Sequence, residues 1–348
     1  MAQPGLIAFM GSGETATLGG QVYDLLVREF EQPIFAAVLE TPAGFELNSP
    51  QVAGRVAEYI ARRLQNLHPR IDVIPARRKG SRYSPDEAEI AEPLNQADLI
   101  FLGPGSPTYA VRQLANSLTW QILRARHGLG SAVAFASAAV VAAGKLALPV
   151  YEIYKAGMDP FWTPGLDFLG FYGLNVVFIP HWNNTDGGVE LDTSHCFMGQ
   201  ERFDQMYTLL EQDITLIGID EHTALILDPC SGKAEVLGGG AVHVLRNKSA
   251  KEFYKGAQFD IGEIGEIHIP PPDAGIDPNI FKRAQKANSS TEAYTTDLPK
   301  RIQELVEARE TARQARNWSA ADQMRSEINK LGWTIKDTPE GAIVEQLK

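Results

Sequence analysis

A mostly parallel β-sheet with helices on both faces, followed by a small α+β module, is the fold this sequence predicts. Three observations carry that reading. From residue 5 to about 262, short apolar runs alternate with segments of helical period. Polar or glycine-rich turns close several of those runs. A Pro-rich stretch poor in apolar residues then breaks the pattern, and residues 297–348 resume it.

The strands come first. Leu6–Met10, Ile34–Leu39, Ile71–Ile74, Leu99–Leu102, Ala132–Phe135 and Val176–Ile179 are near-continuous apolar runs, as strands buried on both faces are. Between them lie amphipathic segments such as Gln51–Leu67, where Val52, Val56, Tyr59, Ile60 and Leu64 recur at helical spacing. Strand and helix in alternation predict βαβ units. Further on, Thr215–Ile219, Ala224–Leu227, Ala234–Leu237 and Ala241–Leu245 are short strands between turn residues, expected as antiparallel additions at one end.

Domain boundaries follow from composition. Residues 1–262 form the α/β domain. Residues 263–296, with Ile269-Pro-Pro-Pro-Asp-Ala-Gly275 and Ala287-Asn-Ser-Ser-Thr-Glu292, are expected as a linker interrupted by a short helix near Ile280–Ala287. In the module 297–348, Ile302, Leu305 and Val306 share one helical face and Ala321, Met324, Ile328 and Leu331 another. Gly332 stands where a helix C-cap belongs, and Asp337-Thr-Pro-Glu-Gly341 reads as the turn of a hairpin. A unit this small is marginal alone, so docking or homodimer formation is expected of it.

Composition bounds the function. At 348 residues the chain exceeds the size at which single cores stop growing, and 44% hydrophobic content supplies a sizeable core. A net charge of −11 argues against a surface that tracks nucleic acid or anionic lipid as a whole. Met1-Ala-Gln-Pro-Gly5 has no basic n-region, and no run is long enough to span a bilayer, so a cytoplasmic protein without a membrane partner is expected. Two cysteines, Cys196 and Cys230, build neither a disulfide framework nor a four-ligand zinc site.

The most informative residue is Ser137. It ends the apolar run Ser131-Ala-Val-Ala-Phe-Ala136 and precedes the small-residue segment Ala138-Ala-Val-Val-Ala-Ala-Gly144. A lone hydroxyl between a buried strand and a helix is how α/β hydrolases present a nucleophile, usually within Gly-x-Ser-x-Gly. Here alanines flank the serine, and no glycine stands within two residues of it.

Other polar turns should share its rim, because ligands bind outside the carboxyl ends of such strands. They are Gly11-Ser-Gly-Glu14, Thr41-Pro-Ala-Gly44, Gly103-Pro-Gly-Ser106 and His181-Trp-Asn-Asn184. The first lacks a complete dinucleotide fingerprint, since position 16 is Ala, so no cofactor is expected. Gly105 and Ala138 are the candidate oxyanion donors through their N–H groups. Gly103, Ser106 and Asn183 are candidates for substrate contact.

His181 is the natural general base, although a strand-end histidine is as often structural. Glu152 is the carboxylate to pair with it, with Asp159 as the competitor, and a glutamate on a turn is usually solvated surface. Neighbours in sequence such as His195-Cys196 rarely bring base and thiol within reach. Asp220-Glu-His222 cannot all face one ion from a strand, so no metal site is expected.

These residues also carry a resemblance. Phe101-Leu-Gly-Pro-Gly-Ser106, Ala134-Phe-Ala-Ser-Ala-Ala139 and Gly218-Ile-Asp-Glu-His-Thr-Ala-Leu225, with Gly238-Gly-Gly-Ala-Val-His-Val244 after it, resemble the dipeptidase E and cyanophycinase family of serine peptidases. The resemblance covers roughly residues 5–246. It implies a class I glutamine amidotransferase-like fold, a Ser137–His181–Glu152 triad, and hydrolysis of short peptides, often next to an aspartyl residue. The basic residues that bind cyanophycin have no match in this chain.

The tail resembles something else. Ile302-Gln-Glu-Leu-Val-Glu-Ala-Arg-Glu-Thr-Ala-Arg313 and Asn317-Trp-Ser-Ala-Ala-Asp-Gln-Met-Arg325, followed by Leu331-Gly and Asp337-Thr-Pro-Glu-Gly341, are similar to the extreme C-terminus of cysteinyl-tRNA synthetase. That likeness implies a tRNA contact. Arg309, Arg313, Arg316 and Arg325 are interleaved with glutamates, however, and phosphate binding needs an excess of positive charge. Two functions are therefore expected in competition. One is a serine-type peptidase acting on a small peptide, and the other a non-catalytic binding protein whose tail meets tRNA or a translation partner.

Overall fold

The computed structural model describes residues 2–289, 300–314, 317–338 and 341–346. In chain order its first unit begins with β1 (Ile7–Met10), α1 (Thr17–Val27), β2 (Phe35–Leu39), α2 (Ser49–Arg63), β3 (Arg70–Ile74) and α3 (Ala88–Ala91). Next come β4 (Leu99–Leu102), α4 (Pro107–Leu114), α5 (Leu118–Gly128), β5 (Ala132–Ala136), α6 (Ala138–Ala143), β6 (Leu146–Ala147) and α7 (Val150–Tyr154). Then follow β7 (Thr163–Pro164), β8 (Val176–Ile179), the distorted turn α8 (Ser194–Phe197), α9 (Gly199–Thr208), β9 (Thr215–Ile219) and β10 (Thr223–Asp228). The unit ends with β11 (Lys233–Gly238), β12 (Ala241–Arg246), β13 (Ser249–Tyr254), β14 (Gln258–Asp260) and α10 (Pro278–Ser289).

Eight strands form the main sheet in the order β14-β11-β10-β1-β5-β4-β2-β3. The five from β1 to β3 in that order run parallel, and β10, β11 and β14 extend the β1 edge antiparallel. Side chains alternate across the sheet as the strand period requires. Ala8, Met10, Val38, Phe101 and Ala134 face α1 and α2, meeting Val22, Tyr23, Val56 and Ile60. Ile7, Phe9, Leu39, Leu102 and Phe135 face the other way, toward Leu123 of α5 and Val140 of α6. Both faces are therefore buried, which explains why these strands are apolar throughout.

The structure departs from the expected single sheet in one respect. β8 lies not beside the main sheet but in a second one of four strands, ordered β13-β12-β9-β8. β10 and β11 do extend the main sheet, whereas β9 and β12 join β8. Phe178, Ile217, Ile219, Val242 and Val244 of this second sheet pack onto the main core, and the Phe178 ring stacks 4.3 Å from that of Phe9. An apolar run reports burial but not which sheet does the burying. The turn from β9 to β10 carries the chain from one sheet to the other at residues 220–222.

The expected linker also changes. Residues up to Ser289 belong to the first compact unit, and the second is Ser290–Lys348. Ile276 and Ala284 are buried against Ala125, with Ile280 and Phe281 packed around them. Arg124 donates to the carbonyls of Ala274 at 3.2 Å and Gly275 at 3.3 Å, and Arg283 pairs with Glu92. Proline density masked a sparse apolar spacing that straps this segment onto α5. The remainder of the expected linker, 290–296, lies outside the described residues.

The second unit consists of α11 (Lys300–Gln314), α12 (Trp318–Lys330), and a hairpin of β15 (Trp333–Thr338) and β16 (Gly341–Gln346). Leu305, Ile328 and Ile335 form its core, with Val306, Met324 and Trp333 against it. Asn317 caps α12 by accepting from the Ala320 N–H at 3.2 Å, and Gly332 takes the left-handed φ of +82° that ends the helix. Leu331, expected on the core face, is instead exposed. It sits at the C-cap, where the helical period no longer sets its direction.

One buried histidine couples the first unit to pH. His127 on α5 is fully buried; its Nδ1 meets the Ser131 carbonyl at 3.2 Å and its Nε2 meets the Tyr172 hydroxyl at 2.5 Å. A carbonyl only accepts, so the neutral Nδ1–H tautomer satisfies both contacts. Burial pushes its pKa down from 6.5 to about 4. The unfolded chain then binds more protons than the folded one, and stability falls as pH drops from about 6.5 to about 4. The loss is expected to approach ~3 kcal/mol. Urea unfolding at pH 7 and pH 4 should show this loss in the wild type and a smaller one in His127→Gln. Equal losses in both would remove His127 as the source.

Candidate active site

Ser137 stands between β5 and α6 at φ +52° and ψ −115°, a region L-residues rarely occupy. Its N–H donates to the Met10 carbonyl at 3.1 Å, which ties the turn to the end of β1. The elbow therefore forms without its usual glycines. Two residues before the serine is Phe135 and two after it Ala139, both buried in one core. A single methyl at Ala139 helps strand and helix share that face with the Phe135 ring.

His181 follows β8 and also has positive φ, at +51°. Its carbonyl accepts from Asn184 N–H at 3.1 Å and Cys196 N–H at 3.2 Å. Cys196 belongs to a left-handed run with His195 and Phe197, at φ +54°, +59° and +68° in chain order. Held from both sides, the imidazole places Nε2 2.9 Å from Ser137 Oγ and Nδ1 3.1 Å from Glu221 Oε1. A carboxylate only accepts, so Nδ1 carries the proton and Nε2 is left to accept from the serine hydroxyl.

Glu221 lies on the turn between β9 and β10. Its Oε1 also accepts from Asn184 Nδ2 at 2.9 Å, and its N–H donates to Asn183 Oδ1 at 2.8 Å. The adjacent Asp220 accepts from Ala241 N–H at 2.9 Å and pairs with His243 at 3.1 Å. The turn is thus fixed on both sides of the carboxylate.

The residues expected from sequence sort clearly. Ser137 and His181 come together; Glu152 does not join them. Glu152 Oε1 accepts from Thr108 Oγ1 at 2.7 Å, so the carboxylate serves the start of α4. Asp159 is exposed and lines a separate groove. Ser106 is an N-cap, accepting from Tyr109 N–H at 3.3 Å, and Asn183 Oδ1 accepts from Glu221 N–H, so each has a positioning role. Gly103 packs against the Phe101 ring. Gly105, at φ +146°, leaves no space for a side chain, because a Cβ there would fall 1.9 Å from the Pro42 carbonyl oxygen.

Glu221 follows the histidine in the chain, whereas the resemblance implies Glu152, which lies between the serine and the histidine. Proximity in a fold does not respect that order. The available signal was its place directly after an apolar strand, on the same rim.

Gly105 and Ala138 line a cavity of about 190 Å³ together with Ser137 and His181. Both candidate oxyanion donors thus border the cavity that the hydroxyl borders. A larger open groove of about 710 Å³, lined in part by Phe45, Arg78, Lys79 and Arg112, contains neither serine nor histidine. Cys196 also lines the smaller cavity, and burial pushes its thiol up to about 12. A thiol held protonated is no rival nucleophile.

Comparison with known proteins divides the chain in the same way. Its fold is similar to the crystal structure of a peptidase from an acI-B1 Actinobacterium, with a TM-score of 0.59 and 22% identity. The alignment covers 74% of this chain and 97% of that one, and establishes the shared α/β fold. Residues 295–343 match the family model of the cysteinyl-tRNA ligase anticodon binding domain. This part is 47% identical over 51 residues to the cysteine–tRNA ligase of Caldicellulosiruptor saccharolyticus, covering 15% of this chain and 11% of that protein. The corresponding ligase of Chlamydia caviae is 39% identical over 86 residues, covering 24% of this chain and 18% of that protein. The chain thus spans only a small part of these relatives. Among the described residues no helix is long and apolar enough to cross a membrane.

The protonated state of Cys196 predicts selective labelling. At pH 8 its thiolate fraction should be about 10⁻⁴, so iodoacetamide should modify the exposed Cys230 and spare Cys196 in the folded protein. Peptide mapping that found both thiols modified at equal rates would contradict this environment.

Proposed function

We propose that the chain is a serine-type hydrolase acting on short peptides, with Ser137 as nucleophile, His181 as general base and Glu221 as the group that orients the imidazole. The observation that carries the reading is the relay from Ser137 Oγ to His181 Nε2 at 2.9 Å and from Nδ1 to Glu221 at 3.1 Å. The peptidase description of the structural neighbour is compatible with it.

In this mechanism His181 takes the hydroxyl proton as Ser137 Oγ attacks the scissile carbonyl carbon. The imidazolium that forms is stabilised by Glu221. Negative charge moves to the carbonyl oxygen, where the N–H groups of Gly105 and Ala138 receive it. His181 then protonates the departing amine. Water, deprotonated by the same imidazole, releases the acyl group and restores the serine.

A second reading concerns the tail. The match of residues 295–343 to an anticodon binding domain supports a tRNA contact by the second unit. Against it, Arg309 is only 2% exposed and so has little surface for phosphate. If the tail binds RNA, bulk tRNA should bind the full chain, weaken with salt, and bind no longer when residues 297–348 are removed. No binding at low salt would end this reading.

The triad assignment makes a graded prediction. On a peptide p-nitroanilide, Ser137→Ala should lower kcat by on the order of 10⁶ and Glu221→Ala by roughly 10⁴. Glu152→Gln, which removes no triad contact, should change kcat by less than about tenfold. A Glu152 variant as damaged as the Glu221 variant would reverse the assignment. A fluorophosphonate probe should label Ser137 in the wild type, and undiminished labelling of Ser137→Ala would reject the serine.

A further inference from the structure

We propose that the cavity beside Ser137 is an apolar specificity pocket that takes an aliphatic or aromatic side chain from the acyl side of the scissile bond. The proposal rests on the serine-hydrolase reading above and names its substrate class. It departs from the aspartyl preference that the sequence resemblance implied.

The walls carry the argument. Val141 lies one helical turn beyond Ser137 on α6 and is 1% exposed; Val150 on α7 is likewise buried. Tyr154 and Phe197 face each other with ring centroids 5.2 Å apart, and Phe197 stands 6.5 Å from the His181 ring. Pro107, Tyr151 and Cys196 also line it. An apolar group entering here exchanges water for apolar contacts on several sides.

A carboxylate is poorly served in the same space. It would lose hydration against Val141, Val150 and Phe197, and outside the triad the side-chain donors of the lining are the Tyr151 and Tyr154 hydroxyls and Lys155. Burial is the main cause that raises the Cys196 thiol and the Tyr151 hydroxyl, and Glu221 and Glu46 respectively add to it, so nearby negative charge does not favour a carboxylate. Lys155 is the cation of the lining. It is exposed, and its ammonium lies over the Tyr154 ring, 4.6 Å from the centroid.

Position relative to the chemistry assigns the pocket to the acyl side. The cavity contains Ser137 and both candidate oxyanion donors. In this proposal, a carbonyl whose carbon meets Oγ and whose oxygen meets those N–H groups extends its acyl substituent into this compartment. The departing amine is protonated by His181, which borders the same cavity.

The test is a series of aminoacyl p-nitroanilides differing only in the acyl side chain: Ala, Leu, Phe, Asp and Lys. On the wild type, kcat/KM for Leu or Phe should exceed that for Ala and Asp by roughly tenfold or more. Inhibition by the corresponding aminoacyl aldehydes should follow the same order, which requires no variant. Val141→Phe should lower the Leu-to-Ala ratio by about tenfold, and Lys155→Met should leave the Leu-to-Asp ratio no lower than in the wild type. Asp preferred over Leu, with that preference lost in Lys155→Met, would overturn the proposal in favour of a carboxylate site. Fluorophosphonate labelling of Ser137 separates the two levels: labelling without the predicted order rejects the pocket alone. Neither labelling nor turnover rejects the hydrolase reading and the pocket with it.

Discussion

The packing of the second sheet onto the main one, with Phe178 of β8 stacked on Phe9 of β1, governs how the end of β8 meets the end of β5. Ser137 ends a strand of the main sheet, His181 ends a strand of the second, and Glu221 sits on the turn that crosses between them. A hydrogen bond tolerates only a few tenths of an ångström. The relay of three side chains therefore depends on two sheets held in fixed register by close-packed aromatic and aliphatic groups, which resist small displacements.

That same packing sustains local strain. Ser137, His181 and the run His195–Phe197 all hold positive φ, and sparsely populated conformations cost of order 1–3 kcal/mol each. They persist because neighbouring contacts leave the backbone little choice. Ser137 N–H is bound to Met10, and the His181 carbonyl receives two N–H groups. Left-handed residues cluster where the proposed chemistry lies, and the glycines that usually relieve such strain are absent from the elbow. Gly105 is the contrasting case, since the Pro42 carbonyl excludes any side chain there.

The second unit follows another logic. Its core is small, α12 is capped at Asn317 and Gly332, and its likeness is to one region of much longer proteins. Arg309 illustrates how far a charge pattern can mislead. Counted along the sequence it belongs to a cationic series, yet in the fold it is buried.

Much of this molecule was legible in the chain itself. Apolar runs of four to six residues located the buried strands, helical spacing located α2, and Gly332 marked the end of α12, because these signals are local. Ser137 and His181 were legible for the same reason, each being a polar residue at the end of an apolar strand. The partner of His181 was not, because nothing local distinguishes Glu152 on α7 from Glu221 on a turn, and only the crossing of β9 into β10 brings one of them to Nδ1. Nor did local pattern tell that residues 263–289 strap onto α5, since sparse isoleucines among prolines gain meaning only from the surface that receives them. Sequence alone determined which segments are buried and which residues can do chemistry, through periodicity and composition. Tertiary structure decided which sheet each strand joins and which carboxylate meets the histidine, because those follow from packing between segments far apart in the chain.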